Sequence, residues 1–306
     1  MRYGNQSPVD NLIAFFKQKS LLSKLILINI IVFAAINIIN LLLFLFNVGD
    51  GQNTVISEVT RWLAVPAQFS QLIQKPWTLF SYMFLQEGFF HLLFNMIILY
   101  FGGKIFSEYL DDQKLLKTYL FGGFFGALFF IISYNIFPVF QDNIANTLAL
   151  GSSASVLAIL IAIATYVPEY SVNLIFIGRT KLKYIAVIFI VLDIFNIQTG
   201  NEGGHLAHLG GALWGFIYSR SLLKGNDLVG SLNFGWMRNF FVKKKKSPFT
   251  NIHRNKRPLS DEEYNARKVS KQKDIDKILD KISKSGYNSL TEKEKEILFK
   301  HSNNDK

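Results

Sequence analysis

The chain alternates long apolar runs with short polar breaks. Six runs stand out, near residues 24–46, 89–106, 115–137, 148–167, 182–198 and 204–222. About 20 apolar residues carry an α-helix across the ~30 Å hydrocarbon core of a bilayer, so the pattern predicts six transmembrane helices. The first run, "LLSKLILINIIVFAAINIINLLLFLF", is too long for a signal-peptide core and lacks a small-residue cleavage site, so it is expected to be retained. The second is interrupted by Gly102, Gly103 and Lys104, which blurs its inner end. Between these two runs, residues 47–88 are too apolar for a solvated linker. Trp62 and Trp77 favour the membrane interface, so this first loop is expected in or on the outer leaflet.

Beyond residue 226 the pattern changes. "KDIDKILDKISKSG" sets Ile275, Ile278, Leu279 and Ile282 on one helical face ahead of Gly286, and Thr291 with Glu294 makes a capping box for a second helix. A helical hairpin is expected over 271–300. Composition agrees with a membrane class: half of the 306 residues are hydrophobic, with 29 Phe, more than a soluble domain needs. The formal charge of +11 would suit nucleic acid, but Lys and Arg gather outside the apolar runs. Arg2, Lys17, Lys19 and Lys24 precede the first, Lys104, Lys114 and Lys117 follow the second, Arg179, Lys181 and Lys183 follow the fourth, and Lys243–Lys246 follow the sixth. The opposite loops carry only Arg61 and Lys75. That asymmetry is a topology signal: both termini are expected in the cytoplasm, even-numbered spans enter from the outer side, and the partner of the basic charge is the lipid bilayer, not nucleic acid. The fold class is an all-α polytopic membrane protein, with a cytoplasmic segment over 1–22, a six-helix domain over 23–225 and a basic cytoplasmic tail over 226–306 for which no motif names a partner. The absence of cysteine excludes disulfides and thiolate sites, and without clustered acidic residues neither a metal nor an organic cofactor is expected.

Polar side chains are costly in a bilayer and turn toward the protein interior. "HLLFN" opens the second span and sets His91 and Asn95 at i and i+4, on one face. "GSSAS" opens the fourth, and "GGHLAHLGGALWG" opens the sixth with His208 about one turn inside. All three spans run inward, so their beginnings share one depth on the outer side. Gly211 and Gly215, like Ala154, Ala158 and Ala162, recur at four-residue intervals that let helix backbones approach. A Ser and a His on abutting helices are the minimum for nucleophilic attack on a carbonyl. Asn95, His91 and the backbone N–H of Ser153 are candidate donors to the resulting oxyanion. Taken alone, Ser153 would be a packing hydroxyl and His208 a buried polar link, and Ser152 and Ser155 keep that bland role. His205 is taken as a lining residue, and Asp193, with no partner visible in the sequence, as a structural hydrogen-bond former.

Together, Gly151-Ser152-Ser153-Ala154, His91 to Asn95, and Ala207-His208-x-x-Gly211-x-x-x-Gly215 resemble the rhomboid family of intramembrane serine proteases, over roughly residues 70–222 and in the family's order. The resemblance implies a six-transmembrane-helix rhomboid-like bundle in which Ser153 is the nucleophile and His208 its general base, a dyad with no acidic third member. It implies His91 and Asn95 as oxyanion-stabilising residues, Gly151, Ala154, Gly211 and Gly215 as packing residues at the site, and Gln86 as a further polar neighbour. It implies a serine endopeptidase that cuts single-pass membrane proteins near the outer end of their transmembrane helix, in a bacterial cytoplasmic membrane. A substrate helix hides its carbonyls in i→i−4 bonds, so cleavage requires local unwinding, and a small residue such as Ala is expected at the cut. Inactive relatives that bind transmembrane helices in quality control typically lack the Ser or the His, and both are present here. Three positions depart from the family pattern: Ala154 where Gly is common, Leu157 where several relatives carry a ring stacked on the catalytic His, and Trp77-Thr78 in place of Trp-Arg.

Overall fold

A computed structural model describes residues 8–18, 20–46, 54–174, 177–232 and 261–302 of the protein. Lys243–Lys246, Lys19 and Arg2 lie outside the described residues. The chain divides near residue 244 into two compact units, not at 226. The reason lies just after the last apolar helix. Asp227 accepts hydrogen bonds from the Tyr218 hydroxyl at 3.0 Å and from the Val229 N–H at 3.2 Å, and Val229 is buried, so these residues remain tied to the first unit.

The first unit is mostly helical. After α1 (Pro8–Lys17), three helices among the described residues are long and apolar enough to cross a membrane: α2 (Leu21–Leu45), α6 (Phe89–Tyr109) and α7 (Asp112–Ile136). The inner end of α6, blurred in the sequence, lies at Tyr109, and the helix runs unbroken through Gly102, Gly103 and Lys104. Gly103 faces α2 closely, where a Cβ would collide with the Leu22 side chain, while one on Gly102 would stand at ordinary contact distance, 3.7 Å, from the Leu160 backbone. The centre of the unit is α8 (Ser153–Tyr166), whose residues from Ala154 to Ala164 are all buried. A helix that is apolar all round belongs inside, and α6, α7, α9 (Leu182–Asn196) and α10 (Glu202–Leu223) surround it. The packing is at backbone level. Cβ atoms on Gly211 and Gly215 of α10 would collide with the carbonyls of Ala154 and Ala158, and one on Gly122 of α7 with the Ala158 methyl. α10 itself starts from Asn201, which adopts a left-handed backbone (φ 60°) and whose side chain accepts the Gly204 N–H at 3.2 Å.

The run expected to be helical over 148–167 is helical only from Ser153. Ahead of it, β2 (Leu148–Ala149) pairs antiparallel with β1 (Val65–Pro66), and Ala67 N–H donates to the Thr147 carbonyl at 3.0 Å. Gly151 then takes φ +134°, open to glycine alone, and its N–H donates to the Tyr82 carbonyl at 3.1 Å. Buried extended backbone is tolerated where protein satisfies its polar groups; Ala149, Gly151 and Ser152 are buried.

The satisfying partners come from the first loop, which is structured: α3 (Thr54–Leu63), β1, α4 (Phe69–Gln74), α5 (Thr78–Ser81) and a 3₁₀ turn at Tyr82–Phe84. The Trp62 and Trp77 rings stack at 5.9 Å, Trp77 Nε1–H donates to the Trp62 carbonyl at 2.8 Å, and the Lys75 ammonium sits 4.7 Å over the Trp62 ring. Thr78, at the departure from the family's Trp-Arg pair, is buried and donates its hydroxyl to the Lys75 carbonyl at 2.7 Å. A second antiparallel pair, β3 (Ser171–Leu174) with β4 (Gly178–Lys181), links α8 to α9.

The second unit comprises α11 (Asp261–Ser285), a turn at Gly286, and α12 (Glu292–Ser302). Ile275, Ile278 and Leu290 are buried, whereas Leu279, expected on the same face, is half exposed because the single short partner helix covers only a narrow stripe. The Thr291 N–H donates to Glu294 Oε2 at 2.7 Å, and Lys281 reaches the same carboxylate at 2.9 Å.

Gly215→Ala is expected to destabilise the first unit by about 1–3 kcal/mol through backbone overpacking, read by thermal unfolding in micelles. Gly88→Ser, at an N-cap with open space around it, should leave the midpoint unchanged or slightly raised. In the second unit, the Thr291 backbone N–H and the Lys281 ammonium hold the Glu294 carboxyl down at about 2. Its folded value lies below the unfolded one of about 4.3, so its contribution is complete above that pH and fades as pH falls toward 2. Circular dichroism should therefore show Glu294→Ala less helical than wild type at pH 6, with the difference closing near pH 2.

Candidate active site

Ser153 is the first residue of α8, and the helix start carries no side-chain cap. The residue placed to cap it, Ser152, spends its hydroxyl elsewhere, accepting from Gln86 Nε2 at 2.8 Å. The first-turn N–H groups of α8 thus receive no side-chain cap and stand at the positive end of the helix dipole, a setting that stabilises an anion.

Gly151 is where two helices bring their functional groups together. A Cβ there would lie 2.9 Å from His91 Cε1, and 3.4 Å from both His91 Nε2 and Ser153 Oγ. The imidazole from α6 and the hydroxyl from α8 therefore flank one point that only glycine leaves clear. Gly151, expected as a packing residue, makes this close approach and, at φ +134°, the turn into α8. On the other side of the ring, His91 Nδ1 accepts the Glu87 N–H at 3.3 Å. A nitrogen that accepts carries no proton, so in the neutral ring the proton sits on Nε2, the nitrogen beside Gly151.

Asn95 is buried one turn deeper on α6, and its amide donates to Gln86 Oε1 at 3.0 Å. Gln86 also donates to Asn29 Oδ1 at 3.1 Å; Asn29 donates to the Tyr119 hydroxyl at 3.1 Å, which donates to the Met83 carbonyl at 2.9 Å. This chain of bonds crosses α2, the first loop, α6, α7 and the start of α8. It ties Asn95 to Gln86 and, through it, to Ser152. Gln86 is its hub, and Asn29 and Tyr119 are members that sequence patterns did not single out. Asn29 had a signal: it is an amide in the middle of an otherwise apolar run.

His208 stands one turn before Gly211 on α10, and Gly211 packs on the backbone of Ala154, the residue after Ser153. The dyad reading left out what holds the ring. His208 Nδ1 lies 2.7 Å from Asp193 Oδ1 on α9, and His205 Nδ1 lies 2.8 Å from the same oxygen. Asp193 is buried, and both rings are partly exposed. The partners were hidden because they lie 12 and 15 residues away, across a reversal that sets the end of α9 level with the start of α10. A carboxylate late in one apolar run and two His spaced i, i+3 early in the next were the available signal. Among the described residues this is the compact His/carboxylate group to weigh as a metal site; its N···O separations are those of hydrogen bonds. Leu157 is buried and offers His208 no aromatic ring to stack on.

A hydroxyl at an uncapped helix start, an imidazole bonded through one nitrogen only, and a second imidazole with an N–H at the same glycine form a set suited to acyl transfer. Residues 74–225 match the model of the Rhomboid domain, and residues 260–304 match a family of unknown function, DUF6576. Over 144 residues the chain is 31% identical to the "RHOMBOID-like protein 12, mitochondrial" of Arabidopsis thaliana, covering 44% of this chain and 43% of that protein. Over 135 residues it is 29% identical to the "Presenilin-associated rhomboid-like protein A, mitochondrial" of Danio rerio, covering 42% of this chain and 33% of that protein. The matched stretch spans less than half the length of each of these relatives. Gln86, His91, Asn95, Ser153, Asp193 and His208 all lie within the residues matched to the Rhomboid domain, with Asn29 ahead of them: through these residues the chain carries a rhomboid domain and belongs to the rhomboid family.

Proposed function

We propose that the protein is an intramembrane serine endopeptidase that cuts single-pass membrane proteins near the outer end of their transmembrane helix. The observation that carries this is the meeting of His91 and Ser153 at Gly151, beside the uncapped start of α8. Ser153 Oγ attacks the scissile carbonyl carbon while His208 Nε2 takes the hydroxyl proton. The carbonyl oxygen becomes an oxyanion, received by the His91 Nε2–H, the α8 N–H groups and the Asn95 amide. His208 returns the proton to the leaving amine as the C–N bond breaks. Water then attacks the acyl ester, with His208 again the base, and Ser153 is released.

In this proposal α2 and α6 to α10 all cross the bilayer, with the Lys- and Arg-rich ends on the cytoplasmic side of a bacterial membrane. The short α8, about 21 Å at ~1.5 Å per residue, begins below the outer surface and is reached through buried, extended backbone. That depth suits a bond near the end of a substrate helix, where small residues ease the unwinding that exposes it.

A fluorophosphonate, which modifies an activated serine, tests the assignment. Wild type and Ser155→Ala should label, and Ser153→Ala and His208→Ala should not; labelling that survives loss of Ser153 defeats the proposal. Asn95→Ala should fold and lose about 10²- to 10³-fold in turnover of a model transmembrane substrate. Turnover near wild type would remove Asn95 from the oxyanion site.

A further inference from the structure

Asp193 is a buried carboxylate whose ion-pair partners are two imidazoles, both on one oxygen. A carboxylate taken out of water must be paired or hydrogen-bonded. When ionised it only accepts, so the Nδ1 atoms of His205 and His208 both carry protons. For His208 the consequence is direct: with Nδ1 protonated, Nε2 of the neutral ring is bare and able to accept a proton. An unheld imidazole would share its proton between the two nitrogens and turn about its side-chain bonds. Leu157 cannot fix the ring plane; among the described residues the ring is held by the bond to Asp193 and by an edge contact with the His205 ring, centroids 5.8 Å apart.

Resting on the serine-protease proposal, we propose that Asp193 is a positioning acid for the catalytic base: its shared oxygen holds His208 with Nε2 free for Ser153, while His205 competes for the same charge. During attack His208 gains the Ser153 proton at Nε2 and becomes an imidazolium, with its Nδ1–H still bonded to Asp193; the proton then leaves with the amine. Asp193 stays ionised throughout and stabilises that cation. His205 draws on the same oxygen. Other titratable groups around this end of α10 are Glu202 in the same turn, Tyr134 on α7 beside Gly203, His91 on α6 and Glu87 just before it. These are unchanged in the variants below, so they set a common background.

The full chain in lipid nanodiscs tests this with substrate cleavage followed across pH 5–9. Asp193→Asn should lower kcat by about 10²- to 10⁴-fold with KM held within about twofold. Its acid limb should move to lower pH, because losing the carboxylate makes the His208 imidazolium easier to deprotonate. His205→Ala should move the limb the opposite way, because the whole charge of Asp193 then falls on His208. A carboxylate that only supports the fold would lower the active fraction and leave both limbs where they are. An Asp193→Asn kcat close to wild type, or unmoved limbs in both variants, overturns the proposal. Should Asp193→Asn fail to assemble, the His205→Ala limb decides alone, and no upward move rejects the idea. Cleavage that persists in Ser153→Ala or His208→Ala would instead remove the protease proposal beneath it, so the two failures are distinct.

Discussion

Everything at the site depends on how closely α8 and α10 approach. Gly211 and Gly215 lay their backbones on the carbonyls of Ala154 and Ala158, a separation that no side chain at either glycine allows. Lipid tails are as apolar as the helices, so no hydrophobic drive holds the two together; close van der Waals contact does. That contact sets the register. It puts Ser153, one residue before Ala154, and His208, one turn before Gly211, at the same end of the same interface. Gly122 and Gly126 of α7 close on Ala158 and Ala154 from another side, so the central helix is fixed by two small-residue seams.

Around this dry core the protein builds a polar end. The start of α8 is uncapped because Ser152 is bound to Gln86, and Gln86 is bound in turn to Asn95 and Asn29. The first loop supplies the carbonyl of Tyr82 that receives the Gly151 N–H, and the strand that pairs with Leu148–Ala149. These bonds let extended backbone descend to the depth of Ser153 without leaving polar groups bare. The hydroxyl-rich beginning of an apolar run is therefore the foot of that descent.

Most of the helical segments were legible because apolar length is a strong signal; His91, Asn95, Ser153 and His208 were singled out because their motifs fall at the beginnings of three such runs. The extended stretch over 148–152 was not, since an apolar run reads alike as buried helix or buried strand. Its true punctuation was Gly151, whose positive φ and contact with His91 are tertiary facts. Gly102 and Gly103 blurred the inner end of their span, yet the helix continues through both to Tyr109, with Gly103 facing Leu22 of α2. The partners of Asp193 stayed hidden because pairing across a helical reversal depends on relative rotation, which periodicity within one helix does not report. Loop residues 54–84 showed their apolar character in the sequence but not their short helices, which take form by packing and by the Trp62–Trp77 stack.

The most direct measurement is an experimental structure of the full chain in lipid after reaction with a small phosphonate. The adduct should sit on Ser153 Oγ, with its oxyanion at the start of α8 and His208 Nε2 within about 2.6–3.2 Å of the modified oxygen. A phosphorus atom on another serine, or lipid and side chains wedged between Ser153 and the His208 ring, would contradict the account.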